Sequence, residues 1–145
     1  MGDITRCAKM NTDALAAQLT IDEGKRSKPY TDTVGKTTIG VGRNLTDVGI
    51  SDDEISLLLT NDIKRVCDLL DENISWWRDM SEARQQVIAN MCFNMGINGL
   101  LGFKNTLEAM QEGRYDAAAN GMLASLWARQ TGDRAQRLAE AMRNG

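Results

Sequence analysis

Glu23, Asp32 and Thr38 have the types and spacing that acid–base chemistry on a bound water requires. Asp22-Glu23-Gly24 closes a first helix, at the end where the macrodipole is negative. That end disfavours a carboxylate by a few tenths to about 1 kcal/mol, so it raises a carboxyl pKa. A general acid working near neutral pH wants that shift. The same two acids also suit a solvated helix end before a glycine stop. Asp32 follows at the end of a first hairpin strand, and Thr38 lies on the returning strand, expected to face it across the ladder. A carboxylate and a hydroxyl together hold and deprotonate water. An acid and such a base on opposite sides of a cleft, ~6.5–9.5 Å apart, is the arrangement for inverting glycoside hydrolysis. Asp32-Thr33-Val34-Gly35 equally fits a plain turn with aspartate at its start.

Other side chains could assist. Arg134 and Arg137 fall near the start of the last helix, where a guanidinium beside Glu23 would orient it and lower its pKa. They also suit an exposed arginine pair. Trp76, Trp77 and Trp127 are candidates for stacking on sugar rings, although Trp127, spaced helically from Leu123, suits a core position better. The eight methionines have no metal-box spacing and read as adaptable core filler.

Composition removes several alternatives. The chain has no histidine, which excludes Ser-His-Asp and Cys-His catalysis and the commonest zinc ligand. The cysteines, Cys7, Cys67 and Cys92, are odd in number and form no CxxC pair, so they are expected as reduced thiols. Neither a metal nor another cofactor is expected. A net charge of −3 lacks the basic excess of a nucleic-acid protein. No stretch reaches the ~18 apolar residues of a membrane span. Residues 1 to 20 lack the apolar centre of a signal peptide.

The elements that must position these residues are mainly helical. Asn11 or Thr12 caps a helix carrying Leu15, Ala16 and Leu19, which Gly24 ends. Residues 28 to 42 are rich in β-formers and predict a hairpin, with Pro29 opening an edge strand. Ser51-Asp52-Asp53-Glu54 is a capping box. It starts a helix from Asp52 to Asp71, about 30 Å long at 1.5 Å per residue. Ile55, Leu58, Leu59, Ile63, Val66, Cys67 and Leu70 form its apolar stripe. Helices are then predicted near 81–95, 104–112, 115–125 and 134–142. Glycines and a Gln130-Thr131-Gly132-Asp133 loop separate them. The expected fold class is α+β, mainly α-helical: a small hairpin lobe (about 12–51), the connecting helix (about 52–71) and a helical lobe (about 72–145, with the N-terminal helix). A cleft between the lobes is expected.

Several stretches together carry a resemblance. Ile21 to Gly42 holds Glu23, Tyr30, Asp32 and the run Thr38-Ile39-Gly40-Val41-Gly42. Further on come Ile50 to Asp62, Asn90-Met91-Cys92-Phe93-Asn94-Met95-Gly96, Gly102-Phe103-Lys104-Asn105-Thr106-Leu107, and Trp127 through Arg137. This pattern resembles the phage lysozymes of the T4 type, the endolysins or muramidases of glycoside hydrolase family 24. The resemblance implies a single two-lobed lysozyme domain over 1–145. It implies hydrolysis of the β-1,4 bond between N-acetylmuramic acid and N-acetylglucosamine in peptidoglycan. It makes Glu23 the general acid, Asp32 the water-activating base and Thr38 its partner. Arg134 would pair with Glu23 and Arg137 with Asp22. Phe93, Asn94, Thr106 and Leu45 (with Asn44 as the alternative) match positions that touch the saccharide. A monomer is implied, waiting in the host cytoplasm for a holin-type pore. The chain departs from the family in having Arg43 where a histidine is usual, so Arg43 is expected to pair with Asp62. Gly121 stands where a cleft asparagine is usual.

Overall fold

The computed structural model describes residues 10–145. Helix α1 (Thr12–Glu23) begins where the Asn11 side chain accepts from the Ala14 N–H at 3.0 Å. Three short strands follow: β1 (Arg26–Thr31), β2 (Thr37–Gly40) and β3 (Arg43–Asn44). They form one antiparallel sheet in the order β1-β2-β3. The predicted hairpin is therefore present, with a third strand added by the turn at 41–42. Pro29 does not open β1 but lies inside it, at a register irregularity between Arg26 and Tyr30. β1 is an edge strand, and a bulge on an edge needs no ladder N–H there, so proline is tolerated.

Helix α2 (Asp52–Asn73) starts on the capping box. The Glu54 N–H donates to Ser51 Oγ at 3.3 Å, and the Ser51 N–H donates back to Glu54 Oε1 at 2.9 Å. The remainder is helical: α3 (Glu82–Leu101), α4 (Lys104–Gln111), α5 (Tyr115–Leu123), α6 (Leu126–Thr131) and α7 (Asp133–Asn144). A short 3-10 turn, Trp77–Asp79, precedes α3. The fold is thus α+β and mainly helical. Two helix boundaries differ from expectation. α3 passes Gly96 with a kink and continues to Leu101. α6 takes in Gln130 and Thr131 of the expected 130–133 loop, because Ser125 Oγ accepts from the Ala128 N–H at 3.1 Å and starts a helix just before it.

The described residues divide at Leu59/Thr60 into two compact units, a boundary that falls within α2. In the second unit, Leu70, Ile88, Met91, Leu100, Met110, Met122 and Met142 are fully buried. Methionine does fill this core, as expected. Arg84 ties α3 to the end of α7 by donating to the carbonyls of Met142 (2.7 Å) and Arg143 (3.1 Å). In the first unit Thr38 is the only buried residue among those described. The apolar stripe of α2 follows this division. Val66 and Leu70 are buried and Cys67 is half-buried, whereas Ile55, Leu58, Leu59 and Ile63 are exposed. Only the later part of the stripe meets the methionine-rich core.

Candidate active site

Glu23 is the last residue of α1 and is exposed. Gly24 ends the helix with φ +80, its N–H bonded to the Thr20 carbonyl at 3.0 Å. The Glu23 side chain lies against the turn after β2. A methyl group placed on Gly42 would stand 3.1 Å from its Oε2, and Gly42 has φ +70. The backbone therefore favours glycine at 42, and a side chain there would also press Glu23 aside by a few tenths of an ångström. This neighbour of the acid is not apparent from spacing, though the Gly40-Val41-Gly42 run marks the place. Asp22, beside Glu23, is exposed.

Asp32 lies just beyond β1. Its Oδ1 accepts from the N–H groups of Val34 (2.9 Å) and Lys36 (2.8 Å), the turn geometry anticipated from its sequence. Thr38 does not face Asp32 across the ladder. Its register partners are Tyr30 on one side and Asn44 on the other. Asp32 is instead bonded to Lys36, its N–H donating to that carbonyl at 2.8 Å. Thr38 is 3% exposed, and its hydroxyl donates to the same Lys36 carbonyl at 3.1 Å. A single residue, Lys36, thus holds both side chains. It uses its N–H for the carboxylate and its C=O for the hydroxyl. The expected direct rung fails because the turn consumes residues 32–36 before pairing resumes. Leu45 is half-buried just after β3, its N–H donating to the Thr37 carbonyl at 2.8 Å.

The remaining candidates lie in the second unit. Phe93 and Asn94 are exposed neighbours on α3. Asn94 Oδ1 accepts from Trp127 Nε1 at 2.8 Å. Trp127 is 7% exposed and meets Phe103 edge-on, so it is a core residue and offers no free stacking face. Trp77 is also buried, its Nε1 donating to Asp71 at 2.7 Å, and Trp76 is half-buried against the core. Trp127 is thus the core residue its spacing suggested, and Trp77 is no stacking platform either: burying these two rings removes more apolar surface from water than leaving them at the edge of a site.

Thr106 is buried on α4 against Gly121, where any added methyl would collide with Oγ1 of Thr106. The two line a recess of about 270 Å³ with Asn105, Glu108 and Arg114. Arg134 and Arg137 stand in the first turns of α7. Arg134 Nε and Nη2 both donate to Asn90 Oδ1, at 3.0 and 2.7 Å. Asn90 is a further residue that spacing alone does not single out.

Arg43 does not pair with Asp62. Its Nη1 donates to Glu54 Oε1 at 2.7 Å and to the Gly49 carbonyl at 3.2 Å. Asp62 accepts instead from Arg65, three residues on along α2. A partner one helical turn away needs no long-range fit, whereas the start of α2 already presents Glu54 to Arg43.

Comparisons against known proteins show the family to which the chain belongs. The phage lysozyme family model matches residues 20–143. The probable T4-type lysozyme 1 of Dictyostelium discoideum is 26% identical over 88% of this chain and 92% of its own length. The endolysin of Salmonella phage P22 is 26% identical over 73% of this chain and 75% of its own length. The pre-baseplate central spike protein Gp5 of Enterobacteria phage T4 is 28% identical over 86% of this chain, a match to 27% of that larger protein. The chain belongs to the phage lysozyme family. It is accordingly a lysozyme-type hydrolase of peptidoglycan. Among the described residues no helix is long and apolar enough to cross a membrane.

Proposed function

We propose that the protein hydrolyses the β-1,4 bond between N-acetylmuramic acid and N-acetylglucosamine, with inversion at the anomeric carbon. Glu23 delivers a proton to the leaving glycosidic oxygen. Asp32 and Thr38 hold a water on the opposite face of the sugar, and Asp32 takes its proton as it attacks. The observation that carries this reading is the joining of Asp32 and Thr38 through Lys36. Asp32 Oδ1 is occupied by two backbone N–H groups, which leaves Oδ2 to accept from water. The Thr38 hydroxyl spends its proton on the Lys36 carbonyl, which leaves its lone pairs to accept from the same water. Two acceptors at fixed positions orient the nucleophile and draw off its proton.

Arg134, Arg137 and Asp22 serve as orienting groups for the acid, by the family resemblance. Phe93, Asn94, Thr106 and Leu45 contact the glycan strand. The protein acts as a monomer. It waits in the host cytoplasm, is released through a holin-type pore and lyses the cell from the periplasmic side. The Arg134 side chain supports its part by being fixed to Asn90 by two bonds.

Digestion of purified sacculi tests the reaction. New reducing ends of inverted configuration are expected. Anhydro-muramyl ends would indicate a lytic transglycosylase, and no products a binding module that retains the fold.

A further inference from the structure

We propose that Asn90 is a positioning residue for the reaction, acting through Arg134. The inference rests on the reading above, in which Arg134 serves the acid Glu23. A guanidinium carries five N–H groups in a planar fork. Asn90 Oδ1 takes one edge of that fork, accepting from Nε at 3.0 Å and from Nη2 at 2.7 Å. These two bonds fix both the rotation of the guanidinium and the plane it lies in. They leave its far end, Nη1 and the second Nη2 proton, as a ready-made fork for a carboxylate.

The chemistry of Asn90 suits this task. Its amide oxygen accepts the two bonds without carrying charge, so the cation is held but not neutralised. An aspartate at the same place would hold it equally well and compete with any other carboxylate for it. Asn90 also shares a face of α3 with Phe93 and Asn94, three and four residues on. The two residues proposed to touch the glycan and the residue that aims Arg134 therefore stand on one rigid helical surface, before the kink at Gly96.

The test compares Asn90→Ala, Asn90→Asp and Arg134→Gln with the double variant Asn90→Ala/Arg134→Gln, on soluble peptidoglycan fragments, with thermal unfolding in parallel. Asn90→Ala is expected to lower kcat by about tenfold to a hundredfold, the scale of a misplaced catalytic group, with KM within about twofold. Asn90→Asp keeps the acceptor and the melting temperature yet loses kcat to a similar degree. The double variant is no slower than Arg134→Gln alone. Wild-type kcat in both Asn90 variants, or losses that multiply in the double variant, would overturn the proposal. So would a loss seen only in melting temperature. Glu23→Gln serves as the control. If it retains activity, the reading of Glu23 falls and this inference with it. If it is inactive and Arg134→Gln is slow while Asn90→Ala is not, only the role of Asn90 falls.

Discussion

Arg43 Nη1 stands 2.7 Å from Glu54 Oε1, and the same carboxylate oxygen accepts the Ser51 N–H at 2.9 Å. One oxygen thus closes the capping box of α2 and receives the arginine that also holds the Gly49 carbonyl. The loop after the sheet is clamped to the start of the helix by charge and backbone together.

The clamp has a pH signature. The Arg43 guanidinium, with the Ser51 N–H, holds the Glu54 carboxyl down at about 2. An unfolded glutamate titrates near ~4.3. The folded value is the lower one, so the stabilisation is complete above the unfolded value and is lost as pH falls towards 2. Thermal unfolding from pH 7 to pH 2 should show a fall below pH 5 that Glu54→Gln flattens. At pH 7 that variant should melt lower than wild type, by a small margin suited to a half-exposed pair. Arginine stays charged throughout, so the coupling of Arg43→Met with Glu54→Gln should be equal at pH 5 and pH 8. Asp62→Asn should leave it untouched. A coupling that vanished with Asp62→Asn would restore the pairing rejected above.

Glu23→Gln should remove activity without unfolding the protein. A positioned general acid contributes about 10²- to 10⁴-fold, and an amide cannot donate the proton. The side chain is exposed, so its replacement leaves no buried gap. Turnover of sacculi by the variant within tenfold of wild type would exclude Glu23 as the acid.

Gly42→Ala should damage both stability and catalysis. A non-glycine residue at φ +70 costs roughly 1–2 kcal/mol, and the new methyl would press on Glu23 Oε2 from 3.1 Å. Displacing the acid by even part of an ångström should lower kcat by about tenfold or more. Gly113→Ala, between α4 and α5, is the matching control. It has φ +76 but nothing within 4 Å, so it should lose stability alone. Equal activity losses in the two variants would mean that backbone strain, and not the contact with Glu23, matters at 42.

The thiols should separate by burial. Cys92 is 2% exposed, and burial pushes its thiol pKa up, which suppresses the reactive thiolate. Cys67 is half-buried and free; Cys7 lies outside the described residues. Thiol titration under denaturing, non-reducing conditions should count all three cysteines in the sequence. Under native conditions Cys92 should react well after Cys67. A denatured count of one would reveal a disulfide and refute the expectation of free thiols.

What was legible in the sequence was mostly local. Asn11 and the Ser51–Glu54 box announce their helices because a cap is written within four residues. The stop at Gly24 and the Asp32 turn are equally short-range. Helix α6 escaped notice because its cap, Ser125, stands alone without an acidic partner three residues on. The partners of Thr38 depended on how many residues the turn uses, which alternation does not specify. Trp127 finds its acceptor 33 residues away in Asn94, and Arg134 finds Asn90 44 residues away. Such pairings are properties of helix packing, and no spacing rule reaches that far. Arg43 and Asp62 show the converse case, in which a family pairing failed because each residue has a nearer partner here.

Among the described residues, those fully buried all lie beyond Leu59, while Glu23, Asp32 and Thr38 lie before it. Resistance to local opening follows buried apolar contact. Amide protons of β1, β2 and α1 should therefore exchange with solvent well before those of α3, α5 and α7. The acid and base would then ride on the part of the chain that opens first. Heating would silence the enzyme while the methionine-packed helices still stood, so the inactivation temperature should lie below the melting temperature of the helical core.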